Sequence, residues 1–362
     1  MFMKTFGWSF AITAVALMVA FFYGGVEALI LCAILGALEI SLSFDNAVVN
    51  ARILEKLSAF WQTIFLTVGI LIAVLGMRIA FPLLIVGVTA NLNPVQAVSL
   101  ALEKGGIHEP GSYAYLLHEA HPQIAAFGGI FLLMLFLDFM FEERELRWIS
   151  FLEKPLAFIG RLHGASLSIG LILLVVSASM VRPGKEADVL IAGILGMVTY
   201  LLVNGLGDLF TIPGADEDQK PKKSSKGVGA AVGKAAFMLF LYLEVIDASF
   251  SFDGVIGAFA ITSDPILIAL GLGLIGAIFV RSLTVFLVRE GTLDEFEYLD
   301  HGAHWAIGAL SIILLLTISV EINEVITGVI GVVFIGASFG SSLLRNKKKA
   351  VEETAKEHHL SN

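Results

Sequence analysis

Two short and nearly identical sequences lie in long apolar stretches of the chain. Ser41 to Asp45 reads SLSFD, and Ser249 to Asp253, about two hundred residues later, reads SFSFD. Each copy has a further carboxylate six residues before its aspartate, Glu39 in the first and Asp247 in the second. Because carboxylates inside a membrane are costly and mark functional sites, the copies predict one ion or proton site where two duplicated halves meet.

The side chains near the two copies offer oxygen atoms as ligands. Six of them carry a carboxylate or an amide: Glu39, Asp45, Asn46, Glu244, Asp247 and Asp253. Oxygen ligands favour hard cations such as Mg²⁺, Ca²⁺ and Mn²⁺ over Zn²⁺ or Cu⁺. The chain has one cysteine, Cys32, so it can form neither an internal disulfide nor a thiolate cluster.

Each copy is followed by an apolar segment with one arginine, Arg78 in VLGMRIAF and Arg281 in GAIFVRSL. If all these groups converge, five carboxylates face two arginine counter-ions, which leaves three negative charges. A divalent cation would neutralise most of that charge, and protons would have to replace it on departure, because isolated buried carboxylates are costly. The pattern therefore predicts a cation/proton antiporter without a prosthetic group.

Helical spacing leaves the arrangement of the acids open. At 3.6 residues per turn, a spacing of six separates two side chains by about 120°. Glu244 and Asp253, nine apart, would point to opposite sides of an ideal helix. Either the helix breaks near the Ser-Phe-Asp step, which would free backbone carbonyls for a cation, or one acid has another role.

Composition assigns the chain to the membrane proteins. Of 362 residues 57% are hydrophobic, and only 15% are charged, against about 25% in soluble proteins. We expect an all-α polytopic protein with ten transmembrane segments, the first an uncleaved helix rather than a signal peptide. The segments are Phe6–Tyr23, Val26–Asn50, Phe60–Thr89, Ile124–Phe141, Ala165–Val181, Val189–Phe210, Val228–Ile261, Pro265–Val288, Gly302–Val320 and Val325–Leu344.

The distribution of lysine and arginine gives an orientation. Most of these residues fall in loops on one side of the predicted membrane, which the positive-inside rule makes cytoplasmic, together with both termini. The two acidic segments then run antiparallel, as in the inverted repeats of secondary transporters. The predicted divisions are an N-terminal half 1–212, a cytoplasmic linker 213–227, a C-terminal half 228–345 and a charged tail 346–362.

Three segments resemble the TerC/Alx family of integral membrane proteins, within the LysE superfamily, and more narrowly its DUF475-type branch. They are LEISLSFDNAVV (Leu38 to Val49), LEVIDASFSFDGVIGAFAIT (Leu243 to Thr262) and GLIGAIFVRSL (Gly273 to Leu283). The resemblance implies Mn²⁺ export or a related metal flux, with ligands Glu39, Asp45 and Asn46 from one motif and Glu244, Asp247 and Asp253 from the other. The chain departs from the family in its larger number of segments and in Gly254, where members commonly have serine.

Other polar residues have simpler interpretations. Asp138 is expected at the end of the fourth segment, in the headgroup region. Gly205 to Asp208 matches the GxGD motif of intramembrane aspartyl proteases, but no partner aspartate precedes it, so a helix end broken by glycine is favoured and an enzyme is not expected. His301 and His304 fit a polar helix start or a sensor of pH or metal. The His and Glu residues around His108 and His118 fit a solvated outer loop, which is favoured, or a site that captures metal on the exit side.

These observations predict a transporter in the bacterial inner membrane that exports a hard divalent cation, Mn²⁺ first, in exchange for protons. The expected partners are the cation, protons and the lipid bilayer, with no nucleic acid; a homo-oligomer is left open. Two alternatives stay open: a LysE-type exporter of organic solutes, and a membrane scaffold in a metal or tellurite stress-resistance complex. A scaffold would tolerate neutralisation of the acids.

Overall fold

The computed structural model describes the chain except residues 1, 43, 81–82, 85, 88–89, 104, 145, 211–232, 263, 290–295, 321, 323 and 361–362. Some side chains within helices also lie outside the description, among them those of Asp45, Asn46, Arg78 and Asp253. The described residues are helical and contain no strand, which confirms the predicted all-α class.

Fourteen α-helices and two π-helices are described. In the first half they are α1 (Phe2–Leu42), α2 (Phe44–Leu54), α3 (Ala59–Leu71), the first π-helix (Ile72–Ala80), α4 (Pro94–Leu102), α5 (Tyr113–Glu119), α6 (His121–Phe141), α7 (Ser150–Gly160), α8 (Ala165–Ser179) and α9 (Glu186–Phe210). In the second half they are α10 (Gly233–Ile261), α11 (Pro265–Ile268), the second π-helix (Ala269–Gly276), α12 (Ala277–Arg289), α13 (Leu299–Thr317) and α14 (Glu324–Leu360).

Six stretches of the described residues are long and apolar enough to cross a membrane: Phe6–Ala37, Ala59–Gly76, His121–Phe141, Pro265–Val288, Leu299–Thr317 and Val329–Lys347. A seventh results if α7 and α8, bent by 102° to each other, form one span. Each of the ten predicted segments overlaps a helix, but a count of ten spans is not confirmed. The structure supports a multi-pass membrane protein.

The first helix is broken where the sequence separates the first two segments. Gly24 and Gly25 leave helical geometry, and Gly25 has φ 71° and ψ −154°, which glycine alone adopts readily. Residues 2–23 and 26–42 are therefore two helical arms joined by a sharp kink. A straight helix of 41 residues would be about 60 Å long, twice the thickness of the hydrocarbon core.

The helices form a buried centre, and the outer helices expose apolar side chains. Most of α6 and α13 is buried, and these helices pack on each other, while α9 also packs on α6. The spans within α1 and α14 are each only 17% buried and expose large apolar side chains such as Trp8, Phe22 and Leu344. Apolar surface of this extent is typical of protein that faces lipid.

Glycines bring α1 and the second π-helix into close contact. A Cβ at Gly271 would lie 2.7 Å from the carbonyl oxygen of Cys32, and one at Gly36 would lie 2.9 Å from Cγ2 of Ile275. Small residues at such contacts allow membrane helices to approach closely. This contact fixes the end of α1 that carries the first acidic motif.

Candidate functional site

Arg281 lies at the centre of a buried polar cluster. Its side chain, on α12, is 3% exposed, and its Nη2 lies 3.4 Å from Oδ2 of Asp247 and 3.6 Å from Oε1 of Glu244. The two acids are three residues apart on α10, so both fall on the helix face toward Arg281. The structure thus brings together three of the predicted site residues.

Backbone and aromatic groups of α3 hold the guanidinium in place. Arg281 donates hydrogen bonds to the carbonyl oxygens of Phe65 and Gly69, at 3.2 and 3.1 Å. Its Cζ lies 3.6 Å from the centroid of the Phe65 ring, a cation–π contact. Since α3 and α10 contribute on either side of α12, the arginine joins three helices across the two halves of the chain.

Gly69 is where α3 comes closest to the acids. A Cβ at this position would lie 2.7 Å from Oε1 of Glu244 and 3.0 Å from Nη1 of Arg281. Only glycine therefore lets α3 approach the cluster without displacing a charged group. Sequence analysis missed Phe65 and Gly69, because an apolar ring and a glycine within an apolar run carry no signal of chemistry.

Glu244 is buried without hydrogen bonds. It is 5% exposed, and within the described part of the chain neither carboxylate oxygen has a hydrogen-bond partner; the 3.6 Å approach to Arg281 is its charge contact. Buried polar atoms are satisfied in the large majority of cases. With Asp247 also facing the arginine, two carboxylates share one guanidinium, so the cluster can accept a further positive charge.

Glu39 of the first motif, on α1, packs against the transmembrane segment that carries Arg281. It is 1% exposed and packs on Gly276, where any side chain would collide with its Cβ and Cγ. Gly276 ends the second π-helix, five residues before Arg281. Acids from the first motif helix and from α10 therefore contact one segment, the one that carries Arg281.

The two halves contact each other through their π-helices. The first π-helix follows α3 directly, and the second precedes α12. The first motif helix, α1, packs on the second π-helix, α10 packs on the first π-helix, and the π-helices also touch each other. Such segments are rare and often lie at functional sites.

The second motif helix is not broken, contrary to one of the two predicted alternatives. The backbone of α10 is α-helical without interruption from Gly233 to Ile261, through the Ser-Phe-Asp step. In the first motif this step includes Ser43, outside the described residues. The segments that follow the two motifs each contain a π-helix instead.

Four predicted site residues lie outside the described side chains. Asp45 and Asn46 are helical residues of α2, Asp253 is a helical residue of α10, and Arg78 belongs to the first π-helix. Among the side chains that are described, no group of three His, Cys, Asp or Glu residues could hold a metal ion. The proposed ligand set therefore stays a prediction, and its described part is Glu39, Glu244, Asp247 and Arg281.

Another buried carboxylate, that of Glu153 on α7, has a full set of partners. It accepts hydrogen bonds from the backbone N–H groups of Trp148 and Ile149 and from Nε1 of Trp305, each at 3.1 Å, and Nδ1 of His301 lies 3.2 Å away. Burial alone would raise the pKa of Glu153, but His301 and the hydrogen bonds lower it to about 2. Glu153 thus ties α7 to the start of α13, a role that sequence analysis did not assign.

Two further predictions are refined. Asp138 lies three residues before the end of α6, half-buried, and accepts hydrogen bonds from Ser166 Oγ at 2.5 Å and Tyr200 Oη at 2.7 Å. It therefore links α6 to α8 and α9 rather than facing headgroups alone. The glycines of Gly205 to Asp208 do not interrupt α9, which is helical to Phe210, so Asp208 lies in the last described turn of this helix.

The comparisons with known proteins give a family and no activity. No curated protein and no solved structure matches the chain. One family model, described as "Protein of unknown function (DUF475)", matches residues 44–349. The match covers most of the chain and includes all the candidate site residues except Glu39, and so the chain belongs to the DUF475 family.

Proposed function

We propose that this protein is a membrane transporter that moves a hard divalent cation, Mn²⁺ first, out of the cytoplasm in exchange for protons. The observation that carries the proposal is Glu244, a carboxylate buried beside a shared arginine and without a hydrogen bond from any described residue. A buried carboxylate of this kind needs either a cation or a proton. Exchange of one for the other at this position is antiport.

The arrangement of charge suits a cation rather than an anion or a neutral solute. Asp247 and Glu244 together outnumber Arg281, and the arginine is already held by two carbonyls of α3. Asp45, Asn46 and Asp253 would add further oxygens from the motif helices, which is the ligand chemistry of Mn²⁺, Mg²⁺ and Ca²⁺. The resemblance of the motifs to the TerC/Alx family favours Mn²⁺ among these.

An inverted repeat is part of the same proposal. Each acidic motif is followed by a segment that contains a π-helix and an arginine, and each motif helix packs on the π-helix of the other half. Crossed contacts of this type are expected when two copies meet about an axis in the membrane plane. With both termini in the cytoplasm, the site would lie between the halves near the middle of the bilayer.

The test is Mn²⁺ flux into proteoliposomes of known protein orientation under an imposed pH gradient. Wild type is compared with Asp45→Asn, Asp253→Asn and Glu244→Gln, each of which removes a charge with little change of shape. Glu103→Gln is the matched control, because Glu103 is an exposed acid that ends α4. Ca²⁺, Mg²⁺ and lysine serve as competitors.

We expect gradient-driven Mn²⁺ movement that the three site variants lose and the control retains. A folded protein that moves no cation under any gradient would overturn the proposal. If lysine inhibits the protein and is itself transported in place of Mn²⁺, the organic-solute exporter is favoured. Stress resistance in cells that survives neutralisation of all three acids would favour the scaffold.

A further inference from the structure

A groove opens at the end of the bundle where the corner between α5 and α6 faces the first turns of α9. Its volume is about 570 Å³, and Tyr115, Glu119, Gln123, Lys185 and Asp188 line it together with apolar residues. This volume is in the range of small-molecule sites. None of these residues belongs to the Arg281 cluster, so the groove is a separate feature of the molecule.

The polar rim of the groove presents both signs of charge. Gln123 Nε2 donates to Oδ2 of Asp188 at 3.2 Å, which joins α6 to α9, and Arg182 Nη1 lies 3.6 Å from Oε1 of Glu119. The ammonium of Lys185 has no hydrogen bond or ion pair with any residue whose side chain is described. The rim therefore offers carboxylates for a cationic group and an unpaired ammonium for an anionic one.

The wall of the groove is apolar and continues onto a surface that faces outward. Ile191 and Leu195, one helical turn apart on α9, line the groove and are 58% and 53% exposed. Ile194 and Val198 extend this exposed face along the same helix. Because α9 packs beside the membrane-spanning α6, the apolar wall leads from the rim toward the lipid acyl chains.

We propose that this groove binds a phospholipid whose headgroup carries a primary ammonium beside its phosphate. Lys185 would pair with the phosphate, the carboxylates of Glu119 and Asp188 would accept hydrogen bonds from the ammonium, and the acyl chains would lie on Ile191 and Leu195. A primary ammonium donates three hydrogen bonds, whereas a quaternary ammonium donates none and is usually held by several aromatic rings. Tyr115 is the one aromatic residue in the lining, which favours the primary amine.

The proposal is tested by native mass spectrometry of the purified protein in detergent. Phosphatidylethanolamine, phosphatidylcholine and phosphatidylglycerol with the same acyl chains are titrated against wild type, Lys185→Gln and Asp188→Asn. Glu186→Gln is the control. Glu186 is in the same helical turn as Asp188, but it does not line the groove. Leu195→Trp fills the apolar wall without changing any charge, and remains informative where a charge variant fails to fold.

We expect phosphatidylethanolamine to bind about tenfold more tightly than the other two lipids, since a charged hydrogen bond contributes about this factor. Asp188→Asn should remove that preference, because it weakens the acceptors of the ammonium. Lys185→Gln and Leu195→Trp should weaken the binding of all three lipids, whose phosphate and acyl chains are the same. Glu186→Gln should change neither the preference nor the affinity. Equal binding of the three lipids to wild type, or affinities that are unchanged in Lys185→Gln and Leu195→Trp, would overturn the proposal. Displacement by soluble glycerophosphoethanolamine at equal concentration would overturn the assignment to a lipid.

Discussion

Glu153 and Glu244 are both almost fully buried, at 3% and 5% exposure, yet their surroundings are opposite. Two backbone N–H groups, an indole N–H and an imidazole surround the carboxylate of Glu153. Glu244 has a single distant arginine, which it shares with Asp247. The two acids are alike in burial and differ in the number of donors that face them, and the proposed function of Glu244 rests on this difference.

The comparison also separates two kinds of position in the fold. Glu153 lies on α7, a helix about 16 Å long that is too short to span a membrane. Its partners come from the segment before α7 and from α13, so it closes a corner of the bundle. Glu244 lies on α10 and faces α3 and α12, at the contact between the two halves of the chain. The proposed function assigns to this acid a ligand, whereas the donors around Glu153 assign it to cohesion.

The largest effect is expected from Glu153→Ala. Removal of this carboxylate leaves His301, two backbone N–H groups and one indole N–H buried without their acceptor. This loss should lower the free energy of unfolding by roughly 3 to 5 kcal/mol. Thermal unfolding in detergent measures the loss, and transport per folded molecule should not change. Unchanged stability would remove the structural half of the comparison.

Glu244→Gln should have the opposite signature. We expect cation transport to fall by roughly 10- to 100-fold, as for groups that support a metal site. Stability should change by less than about 1 kcal/mol, because the substitution removes a buried charge that has no hydrogen bond. Flux assays and thermal unfolding on the same preparation give both quantities. A large loss of stability with normal transport per folded molecule would show that Glu244 has a structural role like that of Glu153.

Gly69→Ala tests the close approach at the site. The added Cβ would crowd Glu244 and Arg281, and overpacking of this kind costs about 1 to 3 kcal/mol. Gly336→Ala is the matched control, because a Cβ there meets nothing within 4 Å and alanine favours a helix by about 1 kcal/mol. We expect the first variant to lose stability and transport, and the second to lose neither. Equal behaviour of the two would mean that α3 has room to move away.

The smallest effect concerns pH. The pKa of Glu153 is lowered to about 2, below its value of about 4.3 in an unfolded chain. Its contribution to stability is therefore complete above that unfolded value and is lost as the pH falls toward 2, by at most about 1.4 kcal/mol per pH unit. The unfolding temperature should fall more steeply between pH 5 and pH 3 in wild type than in Glu153→Gln. Parallel slopes would show that Glu153 does not titrate differently on folding.

Sequence patterns predicted the class, the helices and the polar residues worth following. Glu39, Glu244, Asp247 and Arg281 stood out because charges in apolar runs are rare, and the structure places all four at the contact of the halves. Gly24-Gly25 marked the break in α1 because glycine signals both turns and kinks.

The remainder depended on tertiary packing. Phe65 and Gly69 reach Arg281 because α3 passes beside α12, more than two hundred residues away along the chain. The π-helices leave no signature in the hydrophobic pattern, since one extra residue per turn hardly changes an all-apolar run. Glu153 resembled an ordinary loop acid, because its donors at His301 and Trp305 come from a distant helix.

Cys32 is the chain's one thiol, and it is buried where α1 and the second π-helix meet. A thiol reagent can reach it only when these two elements separate. The rate of labelling at this native sulfur atom therefore counts openings between the helix of the first motif and the segment that leads to Arg281. The labelling rate of Cys32 thus measures movement between the halves without an introduced cysteine.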